Sequence, residues 1–373
     1  MLHTDTPSIQ EITALATERA TGSVSIYLRT GRLPERSEEA RIRLRNFVDA
    51  AAEQLAAAGA ARADIDALAA AVSELIDDRA FWGYQSETLV VFASAGRLRT
   101  YRIANRLPEL LEVADRYLIK PLLRAVTFPQ TAFVLALSQN HVRLIEAGAD
   151  GTAFTVEVAG LPKDAASAVG LPSISGRTAD GRIQGSEGQK VRLAEYCRAI
   201  ETELRPVVNR SEIPLILAAT QPLDAIYRSV NTYSHLLGES IRGNPDETPD
   251  NELSAAARPI LDAMYAGELN EVRDELEGRR AHGRAVSDLS DIARAATFGA
   301  IDTLVFDFEH VVPGSIDEET GAVHFDDTET AANYGVIDEI ARRALLTGAS
   351  IYAVRADDLP ENTPAMASVR FPV

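Results

Sequence analysis

The chain has 373 residues, of which 46% are hydrophobic and 25% charged, so it is long enough to bury a sizeable core and is not expected to be globally disordered. Its formal net charge of −18 repels phosphate backbones unless basic residues gather on one face, which counts against general nucleic-acid binding and against a DNA partner. A single cysteine excludes an internal disulfide. With no signal peptide or membrane-length apolar run expected, these features predict a cytoplasmic location.

The first block of the chain mixes helices and strands. A helix is predicted near residues 9–15, and residues 23–28 alternate like a half-buried strand. Longer helices are predicted over about 38–59 and 64–78, followed by a hairpin of residues 88–92 and 98–103. A domain boundary is predicted at Pro129, so the first predicted domain covers residues 1–128.

The second block, residues 129–283, opens with three predicted strands in a meander, over about 133–137, 141–145 and 154–158. A long stretch without regular pattern, 161–188, precedes a helix that resumes near Gln189. The apolar run 214–219 indicates a central strand, and a helix is predicted from Pro222 to Leu237. A long charged helix is predicted over about 251–280.

The third block, residues 284–373, alternates helices and strands in about 90 residues. Strands are predicted at 303–306, 350–354 and 367–371, with helices near 289–298 and 336–345. This order favours a small α/β/α sandwich. An acidic stretch at about 310–330 is predicted to be a loop. The whole chain is therefore predicted to be a mixed α/β protein of three domains.

Common catalytic and cofactor signatures are missing from the sequence. It contains no phosphate-binding P-loop, no dinucleotide fingerprint after a strand and no nucleophile elbow, so no cofactor is predicted. His310 with Asp307, Glu309, Asp326 and Asp327 resembles a metal-ligand set in composition, but no regular spacing brings these residues together, so no metal site is predicted. Cys197 falls on the apolar stripe of its helix and is predicted to be a buried structural thiol.

One basic, glycine-containing segment stands out in this acidic chain. Its basic residues are Arg177, Arg182, Lys190 and Arg192, and they surround Gly188 and Gln189. Glycine lets a backbone approach a ligand closely, and a helix N-terminus presents free N–H groups to anions. Gln189 is predicted to lie at the tip of this loop. A mobile, solvated loop that merely precedes a helix is the competing interpretation.

The order of these features resembles the archaeo-eukaryotic class I peptide-chain release factors and Pelota-like proteins, in particular their bacterial relatives. A meander, a basic loop ending in Gly-Gln, a long helix and an apolar strand resemble the central domain of that family. The junction Ala295–Val305 resembles its C-terminal domain, and residues 78–92 and 133–144 resemble the bacterial branch. The resemblance implies a central RNase H-like domain and a C-terminal L7Ae-like α/β/α sandwich.

The resemblance also implies site residues and partners. Gly188 and Gln189 match the last two positions of the family's Gly-Gly-Gln tripeptide, and Glu187 stands in place of its first glycine. These two residues would then be catalytic, and the four basic residues of the segment would contact RNA. The implied partners are the ribosome, ribosomal RNA or peptidyl-tRNA. The motifs with which the family's eukaryotic members read stop codons are missing, so codon-specific termination is not implied.

Three functional hypotheses remain open from the sequence. The first is a ribosome-associated, release-factor-like protein in ribosome rescue, stress response or hibernation. The second is an active peptidyl-tRNA hydrolase that tolerates Glu187. The third is an acidic protein-binding module without ribosome contact, which the net charge favours.

Overall fold

The structure is a computed structural model, and it describes all residues except 1, 21, 32, 149–150, 169–185, 210–211, 328–334, 361–362 and 372–373. It confirms the mixed α/β class. The elements that precede residue 130 are α1 (Ile9–Thr17), β1 (Ser23–Arg29), α2 (Pro34–Ala57), α3 (Arg62–Asp77), α4 (Arg79–Trp82), β2 (Thr88–Ser94), β3 (Arg97–Ile103), β4 (Leu110–Ala114) and α5 (Lys120–Thr127).

The remaining elements follow in two groups. The middle of the chain forms β5 (Thr131–Leu137), β6 (Val142–Gly148), β7 (Ala153–Val156), α6 (Ala165–Ala168), α7 (Ser186–Val208), β8 (Leu215–Ala219), α8 (Leu223–Val230), β9 (Leu236–Ile241) and α9 (Asp250–Ala281). The last part forms β10 (Ala285–Val286), α10 (Leu289–Thr297), β11 (Ile301–Asp307), β12 (Gly314–Ile316), β13 (Val323–Phe325), α11 (Val336–Leu346), β14 (Ser350–Val354), a 3-10 turn (Ala356–Asp358) and β15 (Ala365–Val369).

These elements pack into two compact units. The first unit contains Met1–Leu2 and Gln130–Tyr265, and the second contains His3–Pro129 and Ala266–Val373. The second unit thus joins residues from the first and third predicted domains and from the C-terminal half of α9. The division into three domains at 128/129 and 283/284 stays a prediction.

The first unit is built on a five-stranded sheet with the order β7-β6-β5-β8-β9. The predicted meander is confirmed, because β5, β6 and β7 pair antiparallel in succession. Strands β5, β8 and β9 run parallel. The helix predicted from Pro222 to Leu237 is wrong in its second half: α8 ends at Val230, and β9 completes the sheet. Strand β9 is short, contains a glycine and a glutamate, and gains its structure by pairing with β8 rather than from an alternating pattern.

The second unit contains two further four-stranded sheets. The N-terminal sheet has the order β3-β2-β1-β4, and its two faces bury different residues of the same strands. Leu89 and Val91 pack with α2 and α3, whereas Val90 and Phe92 join a core shared with α10 and α11. The N-terminal and C-terminal segments therefore fold around one hydrophobic core within this unit.

The C-terminal sheet has the order β10-β15-β11-β14 and lies between helices. Leu304 and Phe306 pack into the core with α10 and α11. On the opposite face, Val305 and Met366 line a cleft of about 260 Å³ together with residues of α9. The arrangement is α/β/α. One of its two helical layers is α9, which precedes residue 284 and so lies outside the predicted third domain. The acidic stretch predicted as a loop contains the hairpin of β12 and β13.

Polar contacts also join the two segments of the second unit. Arg116 donates a hydrogen bond to Glu339 at 2.6 Å, and the backbone N–H of Lys120 donates to Asp338 at 3.0 Å. Arg124 donates to the carbonyl oxygen of Ala353 at 2.9 Å. In the described part of the chain, no helix is both long and apolar enough to cross a membrane.

Candidate functional site

The Gly188–Gln189 pair lies in the first turn of α7, which begins at Ser186. The prediction that Gln189 is carried at a loop tip is therefore wrong. Gly188 is buried, and Gln189 is exposed. A glycine costs only about 1 kcal/mol in a helix interior. The burial of the apolar face that follows is sufficient to extend the helix through it.

Two of the four predicted RNA-contacting residues are placed by the structure. Lys190 is exposed and Arg192 half-buried, and both lie in the first two turns of α7. Arg177 and Arg182 lie outside the described residues. The structure thus brings Gln189, Lys190 and Arg192 to one end of a single helix. Positive side chains and the N–H groups of a helix N-terminus both attract anions at such an end.

Helix α7 is held firmly on the sheet by its apolar face. Leu193, Tyr196, Cys197 and Ile200 are fully buried and share a core with residues of β5, β6 and β8. The prediction that Cys197 is a buried thiol is confirmed. Burial raises the pKa of Cys197 to about 12, so the thiolate that a nucleophile requires is disfavoured. The residues at the start of α7 therefore belong to a helix whose apolar face anchors it on the sheet.

The start of α7 and the carboxyl ends of the parallel strands lie on the same side of this unit. Helix α7 leads into β8 through a short connection and packs on the sheet, so it runs antiparallel to β8. Helix α6 is attached at this edge as well, because the N–H of Ala165 donates to the carbonyl oxygen of Gln139, just after β5. Crevices outside the carboxyl ends of parallel strands are the usual binding places in open α/β sheets.

A network of polar side chains occupies this edge. Asn140 donates to Asp246 at 2.9 Å, which ties the β5–β6 turn to the loop after β9. Arg143 donates to Asp250 at 2.7 Å and to the carbonyl oxygen of Pro245 at 3.1 Å. These bonds hold the loop that connects β9 to α9 in one conformation. No local pattern in the sequence indicates this network, although the glycine and prolines of the run Gly243–Pro249 are typical of a loop.

Two buried polar atoms at this edge lack a partner among the described residues: the Tyr196 hydroxyl and Oδ1 of Asp246. Burial raises the pKa of Tyr196, and the negative charges of Asp164 and Asp246 raise it further. The phenol therefore stays neutral and keeps a proton to donate. An unpaired buried polar atom is costly. The edge thus offers a hydrogen-bond donor and an acceptor that a water molecule or a ligand group would satisfy.

The acidic residues singled out around His310 do not form a metal site among the described residues. Within the described ranges, no group of three or more histidine, cysteine, aspartate or glutamate side chains is positioned to hold an ion. His324 lies 3.5 Å from Asp326, and Asp307 accepts a hydrogen bond from the backbone of Glu309.

Comparison with known proteins connects this unit to a family. Residues 129–267 match the model of bacterial archaeo-eukaryotic release factor family 11. No curated protein matches the chain.

Several solved structures are similar at low identity. The archaeal translation termination factor aRF1 is 12% identical, with 98% of this chain and 99% of that chain covered and a TM-score of 0.23. Dom34 of S. cerevisiae, a translation termination-like factor, is 10% identical over 77% of this chain and 74% of its own, with a TM-score of 0.42. Archaeal Pelota, in a model of its ribosome-bound form with ABCE1, is 14% identical over 78% and 74%, with a TM-score of 0.41.

The family match covers the meander, α7 and its Gly188–Gln189 pair, the parallel strands and the polar edge. The resemblance recognised in the sequence is thereby confirmed, because residues 129–267 of this chain match the model of a bacterial archaeo-eukaryotic release factor family.

Proposed function

We propose that this protein is a ribosome-associated, release-factor-like protein that acts in the cytoplasm in ribosome rescue, stress response or hibernation. The observation that carries the proposal is the family match over residues 129–267, which includes Gly188, Gln189, Lys190 and Arg192. Ribosomal RNA or peptidyl-tRNA would be the contact at this end of the molecule. The L7Ae-like C-terminal domain and the boundaries at 128/129 and 283/284 belong to the same proposal.

Electrostatics decides how such a protein would bind RNA. With a net charge of −18, most of its surface repels phosphates, so binding depends on a local concentration of positive charge. The start of α7 offers such a place, since Lys190 and Arg192 lie beside the positive end of the helix dipole. Arg177 and Arg182, close in sequence, would add to it.

Sedimentation of the protein with purified bacterial ribosomes over a salt series tests the proposal. Each phosphate that the protein neutralises releases counterions, so the affinity should fall steeply with salt. Lys190→Ala combined with Arg192→Ala should weaken binding at low salt and flatten this dependence. Arg198→Ala is the matched control, because Arg198 is exposed on the same helix, about two turns from Lys190.

Binding that is undetectable at low salt for the wild type would overturn the ribosomal proposal. Equal loss in the Arg198→Ala control would show that general charge, rather than the start of α7, determines binding. If the wild type does not bind ribosomes at low salt, an acidic protein-binding module becomes the better proposal for the function of this protein.

A second candidate function is peptidyl-tRNA hydrolysis. The exposure of Gln189 favours it, because a residue that positions water against a bound ester must reach that ester. Glu187, in place of the family's first glycine, opposes it electrostatically, since a carboxylate near dense RNA phosphate is repelled. A peptide-release assay separates the two functions, because only a hydrolase frees the peptide from peptidyl-tRNA.

A further inference from the structure

The charges of this acidic chain are distributed very unevenly along the sequence. Residues 1–128 contain 16 arginines and lysines against 17 aspartates and glutamates, whereas residues 129–373 contain 21 against 38. The N-terminal segment is therefore almost neutral, and nearly all of the excess negative charge lies in the rest of the chain. An almost neutral segment can carry a local positive surface that attracts polyanions.

A positive surface lies at one end of the N-terminal sheet, and we call it the arginine edge. Strands β2 and β3 meet at this end through the pair Ser94 and Arg97, and β1 and β4 meet there through the pair Ser23 and Ala114. The arginine edge consists of five arginines and the three carboxylates that contact them: Arg19, Arg97, Arg99, Arg116, Arg342, Glu18, Asp115 and Glu339.

On the β3 side of the arginine edge, two arginines share one carboxylate. Glu18 contacts Arg99 at 2.5 Å and Arg97 at 3.4 Å. The side chain of Arg97 is 64% exposed, so its ion pair is weak and most of its guanidinium is accessible to solvent. This side of the edge therefore presents one more positive charge than negative charge.

On the β4 side of the arginine edge, Arg19 lies beside two other arginines. Its Nε is 4.0 Å from Asp115, whose carboxylate binds Arg116 more closely at 2.7 Å. Arg342 is paired with Glu339 at 2.6 Å. Burial lowers the pKa of Arg19, and the positive charges of Arg342 and Arg116 lower it further. An anion bound beside Arg19 would relieve this repulsion.

The arginine edge extends across the whole sheet. The strand order β3-β2-β1-β4 separates Arg97 from Asp115, which follows β4, by three strand spacings, or roughly 14 Å. One phosphate group cannot contact both ends of this span, because charge-assisted hydrogen bonds need distances of about 2.7–2.9 Å. Successive phosphates of a polynucleotide backbone can contact both ends, so the edge fits an extended polyanion better than a small one.

We propose that the arginine edge binds the phosphate backbone of an RNA, with Arg19 and Arg97 as the outermost contacts. The choice of RNA among polyanions rests on the proposed function. The arginine edge gives the second unit an RNA contact of its own, whereas α7 belongs to the first unit. Arg116 and Arg342 keep their carboxylate partners and contribute positive potential behind Arg19.

Titration of the whole chain against a fluorescein-labelled RNA hairpin, followed by polarisation, tests this inference without ribosomes. Arg19→Ala combined with Arg97→Ala should weaken binding about tenfold at low salt and lower the salt slope by about two, because two phosphate contacts are lost. Arg62→Ala combined with Arg79→Ala is the control, since it removes the same charge from exposed positions of α3 and α4. It should change the affinity by less than about twofold.

A second variant separates charge from structure. Arg19→Lys combined with Arg97→Lys keeps both positive charges and should retain the wild-type affinity within about threefold, because lysine also contacts phosphate as a point charge. The fluorescence of the buried Trp82 shows that each variant is folded. A loss in the lysine variant as large as in the alanine variant would contradict phosphate binding by charge.

Three further results would overturn the proposal. The first is a wild type that does not bind the hairpin at low salt, and the second is equal binding by the wild type and the Arg19→Ala, Arg97→Ala variant. The third is displacement of the hairpin by polyglutamate as effectively as by unlabelled hairpin, which would assign the arginine edge to an acidic protein.

The outcome can be told apart from that of the proposed function. A chain that binds the hairpin through the arginine edge but does not sediment with ribosomes supports this inference and overturns the ribosomal proposal. A chain that sediments with ribosomes through Lys190 and Arg192, and binds the hairpin equally with and without Arg19 and Arg97, supports the ribosomal proposal and overturns this inference.

Discussion

Arg116 and Glu339 are 223 residues apart in the chain, and the Arg116 guanidinium donates to Oε2 of Glu339 at 2.6 Å. Both side chains are almost completely buried. Glu339 also accepts hydrogen bonds from Arg342 and Arg343. Burial by itself would raise the pKa of Glu339, but these bonds and the charge of Arg116 lower it below its ordinary value. The pair therefore links the N-terminal and C-terminal segments of the second unit through a charged contact.

Removal of Arg116 should destabilise the second unit. Arg116→Ala leaves a buried carboxylate with two of its three arginines, and we expect a loss of about 2–3 kcal/mol in the free energy of unfolding. Trp82, the single tryptophan, is buried in this unit, so its fluorescence during urea denaturation reports the change. Arg62→Ala is the control, because its ion pair with Asp66 is exposed, and it should change stability by less than about 0.5 kcal/mol. Equal effects of the two substitutions would contradict the structural role of the buried contact.

The stability of the second unit should fall as the pH rises from about 4 to about 6. Burial raises the pKa of Asp338 to about 6, against the attraction of Lys120, so the folded state binds a proton that the unfolded chain has lost in this range. The stabilisation is complete below pH about 4 and is lost as the pH passes 6; a shift of this size corresponds to about 3 kcal/mol.

Asp338→Asn should flatten this dependence and raise the stability at pH 7 to 8. Its amide oxygen preserves the acceptor for the N–H of Lys120. Glu339 has the opposite sign, because its pKa is lowered, and its contribution is lost only at lower pH. Urea denaturation followed by Trp82 fluorescence at several pH values compares the wild type with this variant. An unchanged slope in the Asp338→Asn variant would show that Asp338 does not titrate as described.

Cys197 should be inert to thiol reagents in the folded protein. It is completely buried, and its raised pKa keeps it protonated at neutral pH. Labelling with a chromogenic disulfide should therefore occur only when the first unit opens. Arg198→Cys, at the adjacent exposed position of α7, is the matched control and should be labelled rapidly. Rapid labelling of the wild type would mean that α7 does not stay packed on its sheet.

Two buried tyrosines of the first unit should respond differently to the loss of their hydroxyl groups. The Tyr233 hydroxyl donates to the carbonyl oxygen of Ile213 at 2.7 Å, whereas the Tyr196 hydroxyl has no partner among the described residues. Tyr233→Phe should therefore lower the free energy of unfolding by about 1–3 kcal/mol. Tyr196→Phe should leave the free energy of unfolding nearly unchanged or raise it slightly. Denaturation followed by circular dichroism compares them. A large cost for Tyr196→Phe would indicate that its hydroxyl binds an ordered group at the carboxyl edge of the sheet.

Peptide release from stalled ribosomal complexes should distinguish a hydrolase from a binding factor. If the chain hydrolyses peptidyl-tRNA, Gln189→Ala should abolish release without weakening sedimentation with ribosomes. Glu187→Gly restores the family tripeptide and removes a carboxylate, so we expect it to raise release above the wild-type rate. Unchanged release in both variants, with ribosome binding intact, would favour a hibernation or rescue factor without hydrolysis.

Local patterns in the sequence determined much of the middle of this protein. The meander of β5, β6 and β7, the buried strand β8 and the helix α9 were all predicted, because each carries a period of its own along the chain. The apolar stripe of α7 also predicted correctly that Cys197 is buried. The family resemblance depended on the order of these elements, which the sequence alone provides.

Only the tertiary structure decided the features that depend on partners distant in sequence. Strand β9 has no clear alternation and is defined by its pairing with β8, and Gly188 and Gln189 are helical because the rest of α7 is packed. The contact between Arg116 and Glu339 has no local signal at all, since the two residues meet only when the N-terminal and C-terminal segments share one core. Periodicity records which face of an element is buried, but it carries no information on which distant element covers that face.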